Sequence, residues 1–159
     1  MVNVTFVTVG NLKEDYLKKA VAEYQKRLSA FCRPSVIELK EVKLSDSPSP
    51  SEIEGALNAE SEKILASIPP RAYKIALCVE GKQMPSEKLA KVIDDACMEH
   101  SDICFIIGSS HGLSQIVKNA ADLRLSVSEL TFPHQLMRVI LSEAVYRAFT
   151  IIKGTKYHK

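Results

Sequence analysis

The sequence predicts a single α/β domain over residues 1–159, with a mostly parallel sheet and helices on both faces. Strand-like and helix-like patterns alternate strictly, five of each, which is the order of a parallel sheet with crossover helices. The runs Tyr73–Val79, apart from Lys74, and Ile103–Ile107 are continuously apolar, as in strands covered on both sides. A chain of 159 residues with 46% hydrophobic and 25% charged residues supplies one core and leaves no length for a second full domain.

Each element has its own signal. Val2–Val9 is β-branched and apolar and ends at Gly10, a first strand. Asn11 is positioned to cap the next helix, with Glu14 three residues on. That helix carries Leu17, Val21, Tyr24, Leu28 and Phe31 on one stripe. Pro34 stops it, and Ser35–Val42 reads as a second strand. Ser45–Pro50 (SDSPSP) is a loop. Ser51 and Glu54 form a capping box for a helix to about Ser67, ended by Pro69-Pro70. Tyr73–Val79 is the third strand, and Glu80–Pro85 a turn. Leu89, Val92, Ile93 and Ala96 mark a helix from about Ser86 to His100. Ile103–Ile107 leads into the loop Gly108-Ser109-Ser110-His111-Gly112. Ser114 caps a short helix, Gln115–Ala120. Leu123–Val127 is a fifth strand. After the loop Ser128–Phe132, Pro133 occupies the first turn of a helix running to about Thr150, since a missing N–H costs nothing there. Lys153–Lys159 is a short basic end.

Composition narrows the function classes. Enough apolar surface exists to exclude disorder of the bulk, and no apolar run reaches the roughly 18–20 residues of a membrane helix. The start, MVNVTFVTVGNLKED, has neither a basic leader nor a small-residue cleavage site, so a cytoplasmic location is expected. Cys32, Cys78, Cys97 and Cys104 form no C-x-x-C pair and read as buried thiols in a reducing compartment, with no metal site. The net charge of +2 hides an asymmetry. From Pro133 to Lys159 there are five Lys/Arg and one acid, whereas the first 132 residues hold 16 Lys/Arg and 18 Asp/Glu. A basic end on a slightly acidic body suggests an anion site, nucleic acid among the candidates; a solvated tail produces the same pattern.

In parallel α/β sheets ligands bind beyond the carboxyl ends of strands, which directs attention to four loops. Gly108 and Gly112 suit close approach of backbone to a ligand, or a tight strand-to-helix turn. The stretch LRLSVSELTF (123–132) is apolar but rich in Ser and Thr, which can satisfy an irregular buried loop or cap a helix. In PHQLMRVILSEAVYR (133–147), His134, Arg138 and Ser142 share a face, and Arg138 sits among apolar neighbours, where a guanidinium often serves as a rigid fork for phosphate or a carbonyl. Glu143 and Arg147 are i,i+4 neighbours. The tail GTKYHK is either frayed or a base-stacking and phosphate-contacting segment.

Together, LTFPHQLMRVILSEAVYRAF with the terminal KYHK, VTVGNLKEDYLKKAVAEYQKRL near the start and ALCVEGKQMPSEKLA in the middle resemble the RlmH-type ribosomal RNA large-subunit methyltransferases, a branch of the SPOUT superfamily. The resemblance covers essentially the whole chain. It implies a homodimer with a C-terminal trefoil knot that methylates N3 of a pseudouridine in 23S ribosomal RNA, free or in the assembled ribosome, using S-adenosylmethionine and no metal. By resemblance, the cofactor rests on Leu77, on Gly108 and on the loop Val127, Ser128, Glu129, Leu130, Thr131 and Phe132. Ser109 stands where a second glycine is common, which is tolerated only if the position needs no positive φ.

The chemistry assigns expected roles. An imide nitrogen must lose its proton, and the charge spreads to flanking carbonyls. Arg138 is the candidate to stabilise that charge or clamp a phosphate. His158 is the candidate base, with Tyr157 as an aromatic platform and His134 and Glu143 in support. Arg147, Lys156 and Lys159 are candidate RNA contacts. Two alternatives stand beside this reading. One is a non-catalytic ribosomal-RNA-binding module. The other is a small nucleotide-binding α/β protein, although Val9-Gly10-Asn11-Leu12 has one glycine where a dinucleotide loop wants three.

Overall fold

A computed structural model describes residues 1–159. The strands are β1 (Asn3–Val9), β2 (Arg33–Leu39), β3 (Tyr73–Lys82), β4 (Asp102–Ile107) and β5 (Leu123–Leu125), and the helices α1 (Asp15–Leu28), α2 (Pro50–Ser67), α3 (Ser86–Glu99), α4 (Gln115–Ala120) and α5 (His134–Ile152). All five strands run parallel in the order β2-β1-β4-β3-β5.

Alternation along the central strands divides the core between two faces. Val4, Phe6, Ile75, Ile103 and Phe105 meet Leu28 of α1, Ile93 of α3 and Leu141 and Val145 of α5. Phe6 and Phe105 stack at 5.5 Å between centroids. On the other face Val7, Ala76, Cys104 and Ile106 meet Ile64 of α2 and Val117 of α4. The central strands are therefore mostly apolar, with Thr5 and Thr8 the buried polar side chains of β1. Burial pushes the Cys32 and Cys104 thiols up to about 12, and all four cysteines are free.

Several boundaries move from their expected places for identifiable reasons. Asn11 is exposed and caps nothing. Glu14 precedes α1, and the intervening loop is held by Lys13 N–H donating to Gln135 Oε1 at 3.0 Å. Pro34 lies inside β2, which is an edge strand and tolerates a residue without an N–H. β2 ends at Leu39, and Val42 N–H turns instead to Glu60 Oε2 at 3.0 Å. The cap of α2 is Ser49, whose hydroxyl accepts from Glu52 N–H at 3.1 Å with Pro50 following, two residues ahead of the expected box. Pro133 is the residue before α5 rather than in its first turn.

Candidate active site

A cleft of about 340 Å³ opens beyond the carboxyl ends of β3, β4 and β5, where a parallel sheet presents its ligand loops. Its first wall comes from an irregularity in β3. Leu125 pairs with Leu77 and again with Lys82, so residues 78–81 bulge out of register. Gly81 makes this possible, because a Cβ there would lie 2.7 Å from the Leu125 carbonyl carbon and 2.8 Å from Ser126 N. The segment expected to be a simple turn is thus the end of a strand and a wall of the cleft.

The second wall is the loop after β4. Gly108 has an ordinary φ, but a Cβ on it would meet Gly112 O at 2.2 Å. The glycine is required by the loop closing on itself, with Gly112 N–H donating to Ser109 O at 2.9 Å. Gly112 takes the positive φ, +84°. Ser109 does not have a positive φ, so serine is conformationally at ease there.

The third wall is the chain after β5. Ser126 N–H donates to Lys82 O at 3.1 Å and Leu130 N–H to Ser128 Oγ at 3.0 Å. The other N–H groups between 127 and 132 make no hydrogen bond within the chain. β5 itself stops at Leu125, two residues before its expected end, which frees this strip to line the cleft.

Of the expected cofactor residues, Leu77, Gly108, Val127, Ser128, Leu130, Thr131 and Phe132 line the cleft, and Glu129 is exposed outside it. His134 lines it from the start of α5. Sequence reasoning missed Cys78, Val79, Glu80, Lys118 and Met137, which complete the walls. Lys118 is the one Lys or Arg of the cleft, and it is paired with Glu80. Its hydrogen bond holds the Glu80 carboxyl below the usual carboxylate range. Apolar walls, unpartnered backbone N–H groups and a neutralised cation suit a polar, largely uncharged ring system better than a polyphosphate.

Arg138 lies elsewhere. It is 5% exposed and donates to Glu38 Oε2 at 2.8 Å and to Gly10 O at 3.4 Å, tying α5 to the ends of β1 and β2. Ser142 Oγ donates to Arg138 O at 2.7 Å. The guanidinium therefore braces the loop after β1 and does not face the cleft. Glu38→Ala strands this charge, and denaturant unfolding is expected to show a loss on the order of 3 kcal/mol. That is the low end for a broken buried pair, because the Glu38 side chain is 40% exposed.

The tail forms a second cluster. Glu143 Oε1 accepts from Arg147 Nη2 at 2.6 Å, and the Arg147 guanidinium carbon lies 4.7 Å from the Tyr157 ring centroid. Arg147 Nη1 approaches His158 Nδ1 at 3.3 Å, and His158 Nε2 approaches Glu87 Oε1 at 2.8 Å. A guanidinium only donates, so His158 Nδ1 accepts and its proton resides on Nε2, toward Glu87. Lys156 and Lys159 are exposed. The cluster brings Glu143, Arg147, Tyr157 and His158 together but leaves them apart from His134. From 134 to 147 the helix advances roughly 20 Å.

Comparison with known proteins agrees with this architecture. The family model described as "Predicted SPOUT methyltransferase" matches residues 2–158. The chain is 52% identical over 157 residues to ribosomal RNA large subunit methyltransferase H of Streptococcus gordonii, covering 98% of this chain and 99% of that one. It is 48% identical over 158 residues to the protein of the same name from Bacillus pumilus, covering 99% of each. Among solved structures, a probable methyltransferase from Bordetella pertussis shares the fold at a TM-score of 0.56 with 10% identity, over 93% of this chain and 95% of that one.

Proposed function

The chain belongs to the SPOUT methyltransferase family, and from that premise we propose that it methylates N3 of a pseudouridine in 23S ribosomal RNA. The observation that carries the reading is the cleft walled by Leu77–Glu80, the Gly108 loop and the 126–132 strip. It fits S-adenosylmethionine. Leu77, Ile107 and Leu125 offer an apolar bed, the free N–H groups of 127–132 offer polar contacts, and Lys118, neutralised by Glu80, does not repel a cation. The bound cofactor supplies an activated methyl group on a sulfonium. Cofactor at about a hundred times its dissociation constant raises stability by roughly 2.7 kcal/mol on this reading. Calorimetric titration with thermal unfolding tests it. A flat titration and an unmoved midpoint at millimolar cofactor remove the enzyme reading.

The protein's own groups then divide the work. The cleft fixes the methyl donor, so most of the rate comes from positioning the acceptor. His158 Nδ1 takes the imide proton once Arg147 turns to the RNA, and Tyr157 stacks on the base. Arg147, Lys156 and Lys159 hold phosphates, and Glu143 orients Arg147. His134 contacts the acceptor at the cleft mouth, and Arg138 acts through the brace it forms with Glu38 and Gly10.

The roughly 20 Å of helix between His134 and Arg147 supports a homodimer. Two copies with α5 antiparallel about a two-fold axis bring the tail of one to the cleft of the other. Leu136 is 36% exposed, and Val139, Ile140 and Ala144 are half-buried, which supplies an apolar face for such pairing. Sedimentation is expected to give a dimer at micromolar concentration; a 17.6 kDa species contradicts this. A trefoil threading belongs to the same reading. It is supported by the chain returning from β5 at the sheet edge, past the Gly108 loop, to place α5 against both α1 and α3. A cytoplasmic location follows from a ribosomal substrate, and no helix is long and apolar enough to cross a membrane.

A further inference from the structure

We propose that Tyr24 and Arg27, on α1, are positioning residues that hold the C-terminal Tyr157–His158 segment where it serves methyl transfer. This rests on the reading that the tail takes part in the reaction.

After Gly154, whose φ is +68°, the chain has no regular structure, yet Tyr157 and His158 are half-buried. Tyr157 stands edge-on to Tyr146 of α5, with centroids 4.9 Å apart. Tyr146 is in turn flanked from α1, by Tyr24 at 6.1 Å. The Arg27 guanidinium carbon lies 5.4 Å from the Tyr24 ring and 5.8 Å from the Tyr146 ring, and Glu23 Oε1 fixes it at 3.1 Å. The result is a ladder, guanidinium to phenol to phenol to the tail, closed at its far end by Arg147 over Tyr157.

Burial, then the proximity of Tyr157 and Glu143, push the Tyr24 hydroxyl up, so the ring beside Tyr146 stays neutral. Neither Tyr24 nor Arg27 belongs to the buried core. Without the α1 rungs, Tyr146 keeps Phe31 beside it, with centroids 6.0 Å apart, and loses Tyr24 and Arg27. The ties that remain are those to Tyr146 and Arg147 of α5 and the exposed contact of His158 with Glu87, and exposed ion pairs hold weakly. A tail free to leave presents its imidazole in the right place for a smaller fraction of the time, which lowers turnover without touching the cofactor cleft.

The test uses the full-length protein with Tyr24→Ala, Tyr24→Phe and Arg27→Ala. Tail docking is read by the rate at which a mixture of carboxypeptidases A and B trims Lys159, His158 and Tyr157 under native conditions. Transfer is read by single-turnover methylation of ribosomal RNA at saturating cofactor. Tyr24→Ala is expected to trim about 10-fold faster and transfer about 10-fold slower, with cofactor affinity unchanged. Tyr24→Phe, which keeps the ring, stays near wild type in both, and Arg27→Ala falls between. Arg27 is exposed, so its variant folds even if Tyr24→Ala does not. Wild-type trimming in both alanine variants, or slower transfer without faster trimming, overturns the proposal. If the wild-type protein methylates no ribosomal RNA, the functional reading fails, and the trimming rates still decide whether α1 holds the tail.

Discussion

Deleting Tyr157–Lys159 is expected to slow single-turnover methyl transfer by about 10²-fold or more while cofactor affinity stays within a factor of two or so. The first magnitude is what removal of a general acid–base group costs. The second follows from the cleft walls, which are residues 77–80, the Gly108 loop and the 126–132 strip and include none of the deleted residues. The deletion is not free of structural cost. Sequence reasoning treats residues beyond Gly154 as carrying no packing, whereas Tyr157 packs on both Tyr146 and Arg147. One aromatic pair and one guanidinium stack amount to about 1–2 kcal/mol of unfolding free energy. Denaturant unfolding of the truncated chain therefore belongs beside the kinetic measurement, made at a temperature where both proteins are folded. Wild-type rates in the truncated enzyme withdraw the roles given to Tyr157 and His158.

Gly108→Val is expected to lower cofactor affinity by at least about 10²-fold, because it attacks the geometry of the second wall. The new Cβ lies 2.2 Å from Gly112 O and 2.5 Å from Gly112 C. Neither is the end of a flexible side chain, so the loop must open and the Ser109–Gly112 closure is lost. Misplacing binding groups by about an ångström costs affinity and rate on this scale. The fold pays about 2–3 kcal/mol, within the range for overpacking a buried position. Gly112→Ala is the instructive control. Nothing lies within 4 Å of its added Cβ, and only the positive φ is strained, at roughly 1–2 kcal/mol. Calorimetric titration of the two variants separates the readings. Equal losses place the need for glycine in backbone flexibility, and a far larger loss at Gly108 places it in the close approach.

What the sequence made legible depends on the range of the interaction behind each feature. The buried strands Ile75–Ala76 and Ile103–Ile107 are readable because covering both faces leaves an uninterrupted apolar run. The helix caps are readable in kind but displaced in position. Ser49-Pro50-Ser51-Glu52 and Ser51-Glu54 offer overlapping signals, and only the tertiary path from Glu60 to Val42 chooses between them. Gly81 looks like a turn glycine because its neighbours Glu80 and Lys82 are polar, and its reason for being glycine is a strand forty-odd residues later. Arg138 is the clearest case. An arginine in an apolar helix signals a guanidinium with a partner, but a single sequence does not distinguish a substrate from Glu38 a hundred residues away. Likewise the tail's composition fits both a frayed end and a docked one. The deciding groups, Glu87 on α3 and Tyr146 on α5, lie in other elements.

The strand order also sets the sequence of events in assembly. β1 lies between β2 and β4, and Asn3 aligns with Asp102. During synthesis the first strand can gain β2 early, but its other edge stays open until about a hundred residues have followed. Contacts of such long sequence separation place folding toward the slow end for a domain of this size. α5, which packs against both α1 and α3, is made last of all. The cleft is thus completed by the first turn of α5, and the tail cluster later still. A nascent chain carries most of its sheet with an unfinished pocket, so the polypeptide acquires its chemistry only after its sheet is in place.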